Sequence, residues 1–450
     1  MQIAGKKFKS ERPLSHLACL SADTDIIIKN KPLKIELHSS FSLVEKAWMA
    51  LERSALTSPF QRVSWIKSLM KNFDHTKAVQ PLFVSGYRNG ALILAMPLAL
   101  ESDLRGKRLT WLGSDVCDYN GIICDQSLAS ELPNAFLSQI VDCLNVILPG
   151  IDVAHLTRIP AHPDFPHSVD CKRSELIAAE YDSHTLSLSS DWTSLYAQLR
   201  SAKSRQRLRS KYNALKKEGR LIFKQVKQLE DKIEATQKIL DWKSQQLDQR
   251  GSRNPFGTPG NPSLIKQSIQ TSIKDEGDHG LKVFGLYQND KLIAGMLAFV
   301  DARNFYYFVS AYSDELSSKY SVGSQLLIKT MQFACRANLK RYDFLIGDEA
   351  YKFDWCNGTI PLLHYVKPLT QKGQLFCMGL KGQLALKKYV SEKPAFARAI
   401  RHMIKTRRVI ELVNENATTD SVSQEPGLNI STQSTLSGPS FTAKNQNGVR

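Results

Sequence analysis

Between residues 319 and 352 the sequence gathers residue types that could hold a phosphate and move a proton. Ser321-Val322-Gly323-Ser324 stands where a polar loop gives way to an apolar-periodic stretch. A helix beginning there with glycine and serine offers unpaired backbone N–H groups at the positive end of its dipole, which suits a pyrophosphate. Lys319 is close enough in sequence to add charge. Any helix start shares these features, so an ordinary N-terminus stands beside the phosphate site as the plainer alternative. Further on, the apolar run 341–346 ends in Gly347-Asp348-Glu349-Ala350-Tyr351-Lys352. Three ionisable side chains and a tyrosine thus crowd just past the C-terminal end of a strand, where open α/β sheets form ligand crevices. The alternative here is a solvent-exposed turn with a structural ion pair.

The elements that must position these residues are written twice. Residues 83–100 (FVSGYRNGALILAMPLAL) and 283–300 (VFGLYQNDKLIAGMLAFV) align without a gap, and Tyr87, Asn89, Leu92, Ile93 and Met96 match Tyr287, Asn289, Leu292, Ile293 and Met296. Each copy is a short apolar strand, a polar turn on Asn-Gly or Asn-Asp and a longer apolar strand, a strong hairpin signal. After each copy come a further strand, a helix of roughly four turns and another strand, which predicts a duplicated α/β domain. Residues 1–32 read as a flexible arm, 33–174 as the first domain and 175–375 as the second. Residues 376–411 read as a basic helical extension, and 412–450, rich in Asn, Ser, Thr and Gln, as a disordered tail. A single helix is expected over 191–219, closed by Gly219.

Composition sets outer limits. No run approaches the roughly 20 apolar residues of a membrane-spanning helix, and the N-terminal apolar stretch, broken by His16, is too short for a secretory signal. A cytoplasmic location is expected. The eight cysteines are scattered without a C-x-x-C pair, and no histidines cluster at metal-ligand spacing, so reduced core thiols and no metal are expected. The net charge of +17 is concentrated: residues 200–220 carry nine Lys or Arg against Glu218, and 381–411 carry nine against Glu392 and Glu411. Such segments suit an anionic membrane surface, nucleic acid or a phosphorylated substrate, or are simply solvated helix faces.

The hairpin with Leu292-Ile293-Ala294-Gly295, the strand YYFVSAYS, the Ser321–Ser324 helix start and YDFLIGDEAYK resemble the CelD/BcsL-type acetyltransferases associated with bacterial cellulose and exopolysaccharide synthesis. These are members of the GNAT superfamily, similar in layout to the FemAB peptidyltransferases. The resemblance covers roughly residues 40–375, and its other marks are Ser58-Pro59-Phe60-Gln61 with Trp65, and Asp118-Tyr119. It implies two tandem GNAT-like domains, each a mixed, mostly antiparallel sheet flanked by helices. The GNAT phosphate loop, Gln or Arg followed by x-x-Gly-x-Gly/Ala, is matched at Gly323 only, with Tyr320 in its first position and Gln325 in its last.

The resemblance further implies transfer of an acyl group from acetyl-CoA or another acyl-CoA to an amine or hydroxyl of a glycan or cell-envelope precursor. Such a reaction needs a base, an oxyanion-stabilising donor and an acid for the departing thiolate. On that footing Asp348 or Glu349 is the expected base, adjacent carboxylates raising each other's pKa. Tyr351 is the expected acid, and Lys352 orients a substrate anion or pairs with Asp348. Lys319, Ser321, Val322, Gly323 and Ser324 would hold the cofactor, and Trp65, Asp118 and Tyr119 would contact the acceptor. For Asp118 and Tyr119 a buried structural contact is an equal reading; His155 and His184 read as ordinary strand residues. The first domain, lacking counterparts of both motifs, is expected to be non-catalytic and to wall the acceptor groove. A FemAB-like transferase using aminoacyl-tRNA, or a scaffold of degenerate GNAT halves held at the inner face of the membrane by the basic helices, are the competing readings.

Overall fold

The computed structural model describes residues 20–21, 26–28, 31–72, 79–129, 131–133, 135–162, 165, 175–252, 254–257, 260–274 and 280–392. Most of the expected arm, all of the expected tail and residues 393–411 of the basic extension lie outside them. Among the described residues no helix is long and apolar enough to cross a membrane, and no cluster of His, Cys, Asp and Glu has the geometry of a metal site.

Both hairpins form, and their registers superpose residue for residue. Val79–Arg88 pairs with Ala91–Asp103, and Leu281–Gln288 with Lys291–Val300. Val84 faces Met96 where Phe284 faces Met296, and Tyr87 faces Leu92 where Tyr287 faces Leu292; the register slips by one residue immediately before the tyrosine in both. The turns match too. Asn89 and Gly90, like Asn289 and Asp290, all have positive φ (50°, 77°, 46° and 63°), the signature of a two-residue type I′ turn.

Each hairpin is the centre of a mixed sheet. The first runs Leu20–Ser21, Lys31–His38, Val79–Arg88, Ala91–Asp103, Gly106–Trp111, Val153–Pro160, Leu362–Pro368, Leu176–Ala178. The second runs Leu221–Val226, Leu281–Gln288, Lys291–Val300, Asn304–Tyr312, Arg341–Ile346, Ser183–Ser187, Gly358–Ile360. In both, the strand after the hairpin pairs in parallel with the strand that follows a long helix. Those helices are Phe136–Ile147 and Val322–Arg336. The architecture is two tandem GNAT-like α/β sheets flanked by helices.

The sheets do not divide the chain at 174/175. The strand that completes the first sheet, Leu362–Pro368, lies beyond the second, whereas Ser183–Ser187, directly after the first, completes the second. The sequence reading missed this because the place of Leu362–Pro368, between Val153–Pro160 and Leu176–Ala178, is fixed by the strands it pairs with rather than by its own pattern. Both sheets belong to one compact unit, Met1–Ala385. An aromatic cluster joins them: Phe60 and Trp65 meet Phe299 and Phe308 edge to face, with centroids 5.3 to 5.8 Å apart. Trp65 is buried there, its indole donating to Cys117 Sγ, so it is a core residue and not an acceptor contact.

The single helix expected over 191–219 is two, Trp192–Leu199 and Ala202–Lys217, because Arg200 is extended and Ser201 caps the second, accepting from Ser204 N. The loop expected before Ser321 contains a further short helix, Asp314–Tyr320.

Candidate functional site

In the second sheet the parallel strands Asn304–Tyr312 and Arg341–Ile346 pair only at Asn304, Phe305 and Tyr306, opposite Arg341, Tyr342 and Asp343. Beyond that point they part. Leu345, at φ 56°, turns one strand aside, a conformation that costs an ordinary L-residue energy and must be held by its surroundings. Lys352 supplies one restraint: it is 2% exposed, and its ammonium donates to the carbonyls of Ile346 (2.6 Å) and Leu345 (3.4 Å) while pairing with Glu349 at 2.9 Å. Asp343, wholly buried, supplies the other by accepting from Leu345 N at 2.9 Å.

A cavity of about 250 Å³ occupies the parting. Tyr307, Ser310 and Tyr312 line it from one strand; Ser321, Gly323, Ser324 and Leu327 line it from the helix start; Glu349, Tyr351 and Trp355 come from the segment after the other strand, and Lys243, Gln246 and Arg250 from the Leu229–Gln249 helix and its cap. Ser321 sits at φ 54° as the hinge between two helices, and its hydroxyl accepts from Lys211 Nζ at 2.8 Å. The first amides of the Val322–Arg336 helix are those of the cavity rim, since its first backbone bond runs from Gln325 N to Ser321 O. A Cβ on Gly323 would lie 2.6 Å from the Tyr312 ring. Glycine is therefore required for this helix start to approach the strand and leave the cleft open.

Several expected site residues meet here and others do not. Ser321, Gly323, Ser324, Glu349 and Tyr351 line the cavity. Val322 is a core residue, able to offer only its amide. Lys319 is turned away, paired with Glu218 at 3.0 Å. Lys352 is a buried strut rather than a group that touches substrate. Asp348 is engaged by His184 Nε2 at 2.9 Å. Burial raises the Glu349 carboxyl, but its Lys352 partner outweighs this and holds it below its usual value, so the two carboxylates do not raise each other as expected. Tyr351 goes the other way: desolvation, then Tyr307 and Glu349, keep its hydroxyl protonated well past the usual phenol range. Tyr119 is fully buried and donates to Asp343 at 2.9 Å and to Ser183, which makes it the structural contact of the two readings. His155 lies in the first sheet against His364 (3.4 Å), and burial, then His364, depress it to about 4.

Of the cations, Lys211 was expected only as part of the basic segment 200–220, and Lys243 and Arg250 were missed. Lys211, Lys243 and Arg250 stand on helices up to 110 positions from Ser321, and only the fold converges them. Lys243 is pushed down by burial, with Glu349 opposing. The chemistry of the set is plain: amides at a helix start with three cations would hold a diphosphate, and neutral phenols stand beside the parted strands.

Residues 202–353 match the family model of the acetyltransferase (GNAT) domain. This chain carries a GNAT acetyltransferase domain. That domain makes the protein an acyltransferase, and its limits enclose the parted strands, the helix start and the basic helix. Among solved structures the chain is similar to the C-terminal domain of a putative lysylphosphatidylglycerol synthetase from Agrobacterium fabrum (14% identity, 75% of this chain and 96% of that one, TM-score 0.46). It is also similar to FemX (11%, 72% and 96%, 0.49) and to a tandem GNAT protein from the clavulanic acid biosynthesis pathway (8%, 74% and 98%, 0.41). No curated protein matches the chain.

Proposed function

We propose that the GNAT acetyltransferase domain takes acyl-CoA as donor, acetyl-CoA first among them, and passes the acyl group to an amine or hydroxyl of a glycan or cell-envelope precursor on the cytoplasmic side. The observation that carries the donor is the cavity between the parted strands, floored by the Gly323 helix start and reached by Lys211, Lys243 and Arg250. The amides of Val322, Gly323 and Ser324 would hold the diphosphate of a bound acyl-CoA, and Tyr312 and Tyr307 on the cavity wall would flank its thioester. Tyr351, kept neutral, donates to the departing thiolate, while Glu349, kept ionised, orients a cationic or hydroxylated acceptor. The acceptor class comes from the CelD/BcsL resemblance.

Calorimetric titration with acetyl-CoA tests the donor. Binding in the micromolar range that desulfo-CoA shares and adenosine lacks supports the diphosphate seat. Absence of binding to any thioester returns the aminoacyl-tRNA reading, which the exposed cations Lys203, Arg207 and Arg209 beside Lys211 favour.

A further inference from the structure

The cavity between the parted strands ends inward on aromatic rings. Along one strand its lining residues are Tyr312, Ser310 and Tyr307, and along the helix Gly323, Ser324 and Leu327. The last paired residues of the two strands are Tyr306 and Asp343, so Tyr307 stands at the apex where the strands begin to part. Behind it the interior is closed. Phe305, two residues earlier on the strand, stacks on Tyr342 with centroids 4.6 Å apart and planes at 10°, and neither is exposed. The Tyr342 hydroxyl shares a hydrogen bond of 2.9 Å with Thr330 Oγ1, less than one turn along the helix from Leu327. Tyr307 joins this floor to the cavity: its ring lies 6.1 Å from Phe344 and 6.4 Å from Tyr342, and 6.4 Å from Tyr351, another residue of the lining. Of the three carboxylates expected at the site, Glu349 alone lines the cavity, and Asp118 and Asp348 do not.

We propose that Tyr307 is the stop for the donor's acyl chain, so that the cleft accepts acetyl and propionyl thioesters and excludes chains of medium length such as octanoyl. The inference rests on the acyl-CoA reading and narrows it. A diphosphate held at the Gly323 helix start lies beside Tyr312, since a Cβ on Gly323 would be 2.6 Å from that ring. An arm running inward from there passes Ser310 and brings the acyl end to Tyr307. Rings packed on a buried floor absorb extra methylenes only through strain, because interiors are already filled to crystal density. The floor also stands without Tyr307: neither the Phe305–Tyr342 stack nor the bond from Tyr342 to Thr330 passes through it. Cutting the Tyr307 ring back to a methyl group should therefore leave a hollow in front of that floor rather than a collapse.

Calorimetric titration with acetyl-CoA, octanoyl-CoA and CoA tests this without an acceptor. The wild type is expected to bind octanoyl-CoA at least about 10-fold more weakly than acetyl-CoA, the cost of forcing methylenes into a packed site. In Tyr307→Ala the order should invert, because the hollow takes those methylenes out of water. Tyr307→Trp places there the residue that the first half has at the matching position, where Leu98 faces Trp111 as Ala298 faces Tyr307. It should weaken acetyl-CoA relative to CoA by about 5-fold or more, and it keeps the test decisive if the alanine variant fails to fold. A wild type that binds octanoyl-CoA as tightly as acetyl-CoA overturns the proposal. So does a folded Tyr307→Ala that keeps the wild-type order, or a Tyr307→Trp that binds acetyl-CoA and CoA in the wild-type ratio. Failure of the wild type to bind either acetyl-CoA or CoA overturns the donor reading, and this inference with it.

Discussion

The two halves share a sheet down to the slipped register in the hairpin, yet they put the same parting to opposite uses. In the second, the strands open on a cavity with a glycine at the helix start and Tyr307 on the wall. In the first, Trp111 takes the place of Tyr307, since Leu98 pairs with Trp111 where Ala298 pairs with Tyr307. Trp111 is buried, the matching helix opens with the buried pair Phe136 and Leu137, and beyond Trp111 the hairpin strand is paired instead by Ile123 and Cys124. Both parting strands even keep one left-handed non-glycine residue, Arg158 (55°) and Leu345 (56°). Backbone pairing was thus retained through the duplication while the contents of the cleft diverged. The filled half is tied to the open one through Tyr119, whose buried hydroxyl donates to Asp343 of the second sheet.

The largest effect should come from closing the open cleft. Gly323→Trp drives an indole into the Tyr312 ring and is expected to weaken acetyl-CoA binding at least 100-fold by calorimetry, with far-ultraviolet circular dichroism unchanged. Leu137→Ala, at the start of the matching helix, should do the reverse: about 2 to 4 kcal/mol of stability lost to a core cavity, and affinity kept. Equal loss of affinity in both variants would erase the functional difference between the halves.

Next is the bond between them. Asp343→Ala leaves Tyr119, Ser183 and Leu345 N without their acceptor in a dry interior, at a cost of about 3 kcal/mol or more, whereas Tyr119→Phe should cost about 1 kcal/mol. Desolvation raises the Asp343 carboxyl despite Arg341. Its folded form thus favours the proton, and the stability this lends in mild acid drains away as pH rises. In urea melts the wild type should lose more stability between pH 4 and 8 than Asp343→Asn does.

How much of this was legible beforehand follows the range of the interactions. The hairpins were legible because turn chemistry and alternation are local, and the second-half helix start because Gly and Ser at a boundary are local too. Lys352 looked like a functional cation, since a sequence shows its type and not its burial; only the carbonyls of Leu345 and Ile346 reveal it as a strut. Trp65 and Tyr119 were expected at the acceptor because the family resemblance implied it, with a buried structural contact as an equal reading for Tyr119; the fold buries both, against Cys117 and Asp343. Lys211 was visible only as one of the nine cations of 200–220, read as a segment for an anionic partner, and Lys243 and Arg250 gave no signal, as a cation on or at the end of a helix is the common surface choice.

Lys352 tests how the open cleft stays open. Lys352→Met keeps the stem and removes the ammonium, leaving the carbonyls of Leu345 and Ile346 unbonded and Glu349 without its partner. About 2 kcal/mol of stability should be lost, and Glu349, with desolvation now unopposed by Lys352, should titrate higher than before. Acetyl-CoA turnover would then fall at low pH and recover as pH rises, a dependence the wild type lacks at Glu349.

The smallest structural effect is expected on the exposed face of the Ala202–Lys217 helix, whose buried residues are Leu208 and Leu215. Arg207 and Lys203 are exposed one and two turns before Lys211, which itself bonds Ser321. Reversing both to Glu should leave the melting temperature nearly unchanged, because neither buries surface nor makes an ion pair among the described residues. What should change is attraction to polyanions. Affinity for phosphatidylglycerol vesicles, or for bulk tRNA, should fall several-fold at low salt and converge with wild type near 0.5 M, as screening shortens the reach of surface charge to a few ångströms. Selective loss for vesicles would bring the open cleft to a membrane surface; selective loss for tRNA would extend its donor site along this helix; no loss for either would leave the row as a solvated face, and the functional contrast between the halves would then rest on the cleft alone.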